Sequence, residues 1–341
     1  MRHRWNTEEG KEGLKGKGDK IGNEAIFLSS PSFISVKYPR PMRGVSIRVV
    51  VLGLLLSAPM LLQAAAIFST YSAYHYIEVI DQGGLRTLSF NGSQETRMYR
   101  EVPLEGHFEY TEYFHMPWLW NTNIKRVLMI GLGGGSTQRS FQHYYTNVMV
   151  DTVELDPAVV SVAKEFFRVK ETPMHRIQTN DGRIFLRRST NIYDVIIMDA
   201  YATTRYGSSV PAHLTTQEFF TLARDHLTTN GVLAYNIIGQ MQGWNESFVG
   251  SMFRTIRWVF PQVYLFPAED SQNVVLVATR TAVRFDAARV EKEGAALMRS
   301  KVVTLPLFPT RLKAFENTPP TAAARAPVLT DARSGVERLL R

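Results

Sequence analysis

Cysteine is absent from the 341 residues. Disulfide frameworks, zinc–thiolate sites, iron–sulfur clusters and thiol nucleophiles are therefore excluded. No group of His, Asp and Glu has metal-ligand spacing, and no internal repeat is apparent. Charge is modest, at 21% of residues against 45% hydrophobic, which excludes disorder or a collagen-like repeat as the whole answer. The net charge of +8 is concentrated at one end, because residues 1–66 carry ten of the 39 basic residues and five of the 31 acidic ones. The body is nearly balanced and gives no reason to expect a nucleic-acid partner. The length leaves room for one large domain or two ordinary ones.

Residues 1–43 are polar and rich in Gly and Lys without any helical or strand period, and read as a disordered basic leader. Residues 49–68 then form a nearly unbroken apolar run, VVVLGLLLSAPMLLQAAAIF, without charge. A helix of that length would span roughly 30 Å, the thickness of a hydrocarbon core. Arg40, Arg43 and Arg48 precede it and put the N-terminus on the cytoplasmic side. Residues 44–68 are thus expected to be a transmembrane anchor. If translation begins at Met42, they are instead a signal peptide cut near Ala64-Ala65-Ala66. Either reading makes the protein membrane-anchored or exported to the periplasmic side. The third reading is a buried helix of a cytoplasmic fold.

From Tyr74 the period changes to two, with turns at Gln82-Gly83-Gly84 and Asn91-Gly92. Residues 71–118 are expected to be a small N-terminal β domain, ending in an aromatic-rich helical stretch over 106–120. Trp118 and Trp120 are expected to pack where this small sheet meets a larger one. Residues 119–285 then alternate strand and helix: strands near 126–130, 148–153, 176–179, 193–198 and 231–237, with helices between, and a closing antiparallel pair at 263–266 and 274–278. That order predicts an α/β doubly wound sheet, parallel at its centre. Residues 286–341 add a helix and a Pro/Ala-rich tail.

In such sheets ligands sit at the carboxyl ends of the strands. Four polar features fall there. Gly131, Gly133 and Gly135 stand in the loop GLGGGS between the first strand and its helix, which is either a tight turn or a place where a ligand meets backbone amides. Glu154 ends the second strand, 23 residues beyond Gly131. An acid at that spacing can accept hydrogen bonds from both hydroxyls of a ribose, its alternative being a solvated strand end. Asp181 ends the third strand in Asn-Asp-Gly, as a turn residue or a partner for an exocyclic adenine amine. Asp199 closes the apolar strand YDVIIMDAY, where a carboxylate is costly unless partnered; a structural or capping role is its alternative. His213 and His226 are expected to be solvated or capping, and Arg187-Arg188 a solvated helix end.

Taken in order, VLMIGLGGGS, VELDPAVVSVAKEFF, NDGRIFLRR, YDVIIMDAY and SVPAHLTTQEFFTLARDHLTTNGVLAYN resemble the spermidine synthase family of aminopropyltransferases. The resemblance covers roughly residues 71–280, including NGSQETRM and FEYTEYFH, and reaches weakly to LTDARSGVERLL. It implies a methyltransferase-type Rossmann sheet and transfer of an aminopropyl group from decarboxylated S-adenosylmethionine, a co-substrate, to an amine such as putrescine. No prosthetic group or metal is implied. It further implies that Gln94, Glu154 and Asp181 hold the adenosine and thioether of the donor, and that Asp199 and Tyr110 orient and deprotonate the amine. Pairing of two copies through the N-terminal sheet is also implied, although the sequence leaves the oligomeric state open.

The chain departs from the family pattern at two acids. Gly134 stands where the family has an aspartate for the aminopropyl amine, and Asp199-Ala200-Tyr201-Ala202 lacks a second aspartate three residues on. The His or Gln expected after Tyr110 is Thr111. Each charge-assisted bond lost would weaken binding by about 1.5–3 kcal/mol, roughly ten- to a hundredfold. Glu112, Glu269 and Asp270 are the candidates to replace them. Two further readings stay open: a methyltransferase using intact S-adenosylmethionine, which the loss of the acid at 134 would favour, and a non-catalytic nucleoside- or polyamine-binding protein.

Overall fold

A computed structural model describes residues 64–204 and 207–333. The leader over 1–43 and the larger part of the apolar run, up to residue 63, lie outside the described residues. The end of that run corrects the expectation of a membrane span. Ala65–Tyr71 is not helical but forms strand β1, pairing antiparallel with β2 (Tyr76–Gln82), with Ala65 opposite Asp81 and Ala66 opposite Ile80. A cut after Ala66 would remove the start of a paired strand. Among the described residues no helix is long and apolar enough to cross a membrane. The membrane-anchored or exported reading is corrected on these findings. An apolar run does not by itself distinguish a helix from a strand, and here small residues lead straight into a period-two segment.

β1 and β2 continue into β3 (Leu85–Phe90) and β4 (Ser93–Tyr99), an antiparallel sheet in chain order. Asn91 and Gly92, both at positive φ, make the β3–β4 turn. The register slips between Leu88–Thr96 and Ser89–Gln94, leaving Glu95 as the extra residue of a β-bulge.

Glu109–Leu119, expected as helix, is a run of 3₁₀ turns, buried throughout. The main sheet follows as β5 (Arg126–Ile130), β6 (Met149–Glu154), β7 (His175–Thr179) and β8 (Tyr193–Met198). A small hairpin, β9 (Ala202–Thr204) and β10 (Gly207–Ser209), stands apart from it. β11 (Leu227–Ile238), β12 (Gln262–Pro267) and β13 (Asn273–Thr279) complete the sheet. Its order is β12-β13-β11-β8-β5-β6-β7, with β7, β6, β5, β8 and β11 parallel and β13 antiparallel to both neighbours. The chain runs outward from β5 through β6 to β7, then returns to β8 on the other side. The switch point, where such sheets open a crevice, therefore lies between β5 and β8.

Helices cover both faces. They are α1 (Ser136–Tyr144), α2 (Pro157–Phe166), α3 (Gly182–Arg188), α4 (Gln217–Asp225), α5 (Glu246–Val259) and α6 (Ala287–Arg299). Leu128, Ile130, Ile196 and Met198 point to one face and join the core under α3, α4 and α5, while Val127, Met129, Val195 and Ile197 point to the other, under α1, α6 and the 3₁₀ segment. The two-residue period of the strands thus builds two apolar layers from one run of sequence.

The small sheet packs differently from expectation. Its core residues Ile77, Val79, Leu88 and Met98 meet Val159, Val162 and Phe167 on and beside α2. Trp118 instead lies against Tyr145, and Trp120 stacks on Tyr264 at 4.8 Å, both beneath the main sheet. After α6 the chain adds Val303, Leu305, Phe308, Leu312 and Phe315 to the core beneath the main sheet. It then reaches Leu329, which is buried beside α5 with its N–H donating to Thr255 and its carbonyl accepting from Gln217. Asp331 then accepts from Arg183 on α3 and from Thr216 before α4, at 2.6–2.7 Å.

Candidate active site

One cavity of about 320 Å³ opens at the carboxyl ends of β5–β8, roofed by the small sheet and the 3₁₀ segment. Its floor is the glycine loop. Gly131 has φ +99°, and a Cβ there would sit 2.0 Å from the carbonyl oxygen of Asp199. Glycine is therefore required so that β8 can end hard against β5. Gly131 and Gly133 line the cavity, whereas Gly135, expected beside them, does not. Gly135 begins α1 at φ +71°, and a Cβ there would meet Val169 at 2.3 Å, so its role is helix entry and packing.

Glu154 lies in the wall with one oxygen accepting from Leu132 N (2.8 Å) and the other from Asp156 N (3.0 Å). Burial raises its carboxyl, and these backbone bonds work against the rise. Free lone pairs remain on both oxygens. Asp181 caps α3 through Ile184 N (2.8 Å), and its second oxygen lies 2.8 Å from Nε2 of His213. His213 is half exposed, as a solvated histidine would be, and it also lines the cavity beside Asp181, while His226 lies against the carbonyls of Leu222 and Ser189, as a capping histidine would.

Asp199 stands at the switch point. Its Oδ2 accepts from the Tyr110 hydroxyl at 3.3 Å, and its Oδ1 accepts from Asn236 Nδ2 at 2.9 Å. Asn236 in turn accepts from Asn273 Nδ2 at 3.1 Å, so β11 and β13 hold the carboxylate in line. Burial pushes Asp199 up to about 6, against those hydrogen bonds. The same burial, with the neighbouring charge of Asp199, raises the Tyr110 phenol well above its ordinary value and keeps it a donor.

Gln94 is corrected. It is exposed on β4 and outside the cavity lining, because the bulge turns its neighbours Glu95 and Thr96 inward instead. Glu95 accepts from Ser208 Oγ on the β9–β10 hairpin at 3.1 Å, and burial pushes it up to about 7. Nothing in a single sequence signals a bulge residue of this kind. Thr96 accepts from Gly134 N at 2.9 Å, and a Cβ at 134 would lie 2.6 Å from its methyl group. The place of the missing acid is thus filled by β4. The three acids expected to replace it lie elsewhere. Glu112 bonds Arg311 at 2.6 Å and lies 2.8 Å from His107, Asp270 bonds Arg97 at 2.7 Å, and Glu269 is outside the cavity lining.

The family model described as spermine/spermidine synthase domain matches residues 107–268. A polyamine aminopropyltransferase of Vibrio vulnificus is 30% identical over 224 residues, covering 63% of this chain and 72% of that protein. Among solved structures, a probable spermidine synthase from Corynebacterium glutamicum superposes with a TM-score of 0.61 at 20% identity, over 77% of this chain and 96% of that one. A spermidine synthase in complex with the transition-state analogue AdoDATO gives 0.54 at 22%, over 73% and 87%. The solved structures establish a shared fold, and the extent and identity of the curated match carry the rest: the chain belongs to the spermine/spermidine synthase family.

Proposed function

We propose that this protein transfers an aminopropyl group from decarboxylated S-adenosylmethionine to an aliphatic amine. The observation that carries the reading is the convergence of Glu154, Asp181 and the Asp199–Tyr110 pair on one cavity at the switch point. Its relatives' names support the same activity. Glu154 accepts the ribose hydroxyls, Asp181 faces the adenine amine, and the glycine loop lets the donor lie against backbone.

The electrophile is a methylene bonded to a sulfonium. The amine nitrogen forms a bond to that carbon as the carbon–sulfur bond breaks, and its electron pair stays on sulfur, leaving neutral methylthioadenosine. The nucleophile gives up one proton. Asp199 is ionised above pH 6 and is placed to receive it, while the Tyr110 hydroxyl and Asn236 fix the direction in which the carboxylate points. Because the electrophile is already activated, most of the rate comes from holding the two reactants in line.

The test is incubation of the full chain with decarboxylated S-adenosylmethionine and 1,4-diaminobutane. Methylthioadenosine and the aminopropylated amine are expected in equal amounts, and Asp199→Asn is expected to cut kcat by 100-fold or more, about 3 kcal/mol. Methyl transfer from intact S-adenosylmethionine, or methylthioadenosine binding without turnover, would defeat the proposal.

A further inference from the structure

Of the carboxylates lining the cavity, Asp156 caps α2 and Glu95 has no task in the proposed reaction. Glu95 is the extra residue of the β4 bulge, and the bulge sends its side chain into the same cavity as Asp199 and Tyr110. Bulges commonly re-aim a side chain next to an active site. The partners Glu95 has are hydroxyls, Ser208 across the hairpin and Ser93 on its own strand. Two hydroxyls leave most of a carboxylate's four acceptor positions unused. A second negative group beside Asp199 raises the cost of both, and a cation lying between them removes it. The cavity also presents the rings of Phe90, Phe108 and Tyr110, surfaces on which an alkyl chain and its ammonium are stabilised.

We propose that Glu95 is the counter-ion for a second substrate ammonium, the one not undergoing attack. The assignment rests on the aminopropyl-transfer reading, and where the ammonium is the far end of the acceptor it makes the protein selective for acceptors with two amines over those with one. The shared chemistry is a primary alkylammonium. It can come from the far end of a diamine acceptor or from the aminopropyl group of the donor. In either case Glu95 supplies the charge that Gly134 cannot, since Thr96 occupies that space.

The experiment measures binding, so that its outcome is separate from turnover. Calorimetry on the full chain saturated with methylthioadenosine would follow 1,4-diaminobutane and 1-aminobutane. A parallel titration of the free protein would follow decarboxylated S-adenosylmethionine. Glu95→Gln keeps an oxygen to accept from Ser208 and removes the charge. It is expected to weaken the diamine or the donor about tenfold or more, and to leave 1-aminobutane within twofold. The arm that weakens identifies the source of the ammonium. Ser208→Ala, which removes the hydroxyl and keeps the charge, is expected to retain affinity. Unchanged binding in both arms for Glu95→Gln would overturn the proposal, as would an equal loss in Ser208→Ala, which would make Glu95 a brace for the hairpin. Absence of turnover in the wild type, with the Glu95 effect on binding intact, would defeat the aminopropyl-transfer reading alone.

Discussion

Asp199 and Glu95 are two carboxylates in one cavity, raised to about 6 and about 7. In the roles proposed for them both must be ionised, the first to accept a proton and the second to hold a cation. The value of kcat/KM for a diamine is therefore expected to fall with decreasing pH through these two steps, approaching a slope of two in the logarithm. In Glu95→Gln the slope is expected to be one, centred near pH 6; a slope still near two would show that Glu95 is not the second ionisation. Stability carries the opposite sign. A carboxyl whose folded value lies above its unfolded one makes the folded state bind more protons between about pH 4 and 6, so stability declines as pH rises through that window. Asp199→Asn is accordingly expected to be more stable than the parent at pH 8, by up to about 3 kcal/mol, and close to it below pH 4 in urea unfolding. Asp199 was legible in the sequence because an acid ending an apolar strand needs a reason. Glu95 was not, since only the register slip beside it turns it inward.

At the level of elements, the strand–turn–helix units were readable because each carries a local signal. Asp156-Pro157 opens α2, with the Asp156 side chain accepting from Ala158 N, and Asp181 and Thr216 cap α3 and α4 in the same manner. The parts that misled are those decided at a distance. The apolar run ends in β1 because β2 is there to pair with it, and the tryptophans go beneath the main sheet because Tyr145 and Tyr264 offer them faces. The glycine loop divides likewise: the sequence marks three glycines alike, while the fold uses Gly131 and Gly133 toward the cavity and Gly135 for entry to α1. Gly134 gives a test. Gly134→Asp would restore an acid to the loop, but its Cβ meets Thr96 and Phe167 at 2.6–3.0 Å. The variant is expected to lose about 1–3 kcal/mol of stability by overpacking and to bind the donor no more tightly, as read by thermal unfolding and donor titration. Tighter binding at unchanged stability would mean that β4 yields.

Across the whole molecule, the last described residues reach back to the elements that carry the site. Leu329 fills a core position beside α5, and Asp331 joins Arg183 on α3 to Thr216 ahead of α4. Both helices border Asp181 and His213. Removal of residues 329–341 is expected to lower Tm by about 4–10 °C, from the buried leucine and its hydrogen bonds, and to raise KM for the donor severalfold; an unchanged Tm would show this segment to be dispensable. The Asp199–Asn236–Asn273 line has a consequence in time. The second asparagine opens β13, which pairs with β11 after most of the chain has been made. A ribosome-bound nascent polypeptide halted before that strand would already hold the glycine loop and the acids proposed to face the donor, yet Asp199, the proposed proton acceptor, would lack the outer brace that aims it. Competence for the reaction would thus arrive late in synthesis, with a strand that never touches the reactants.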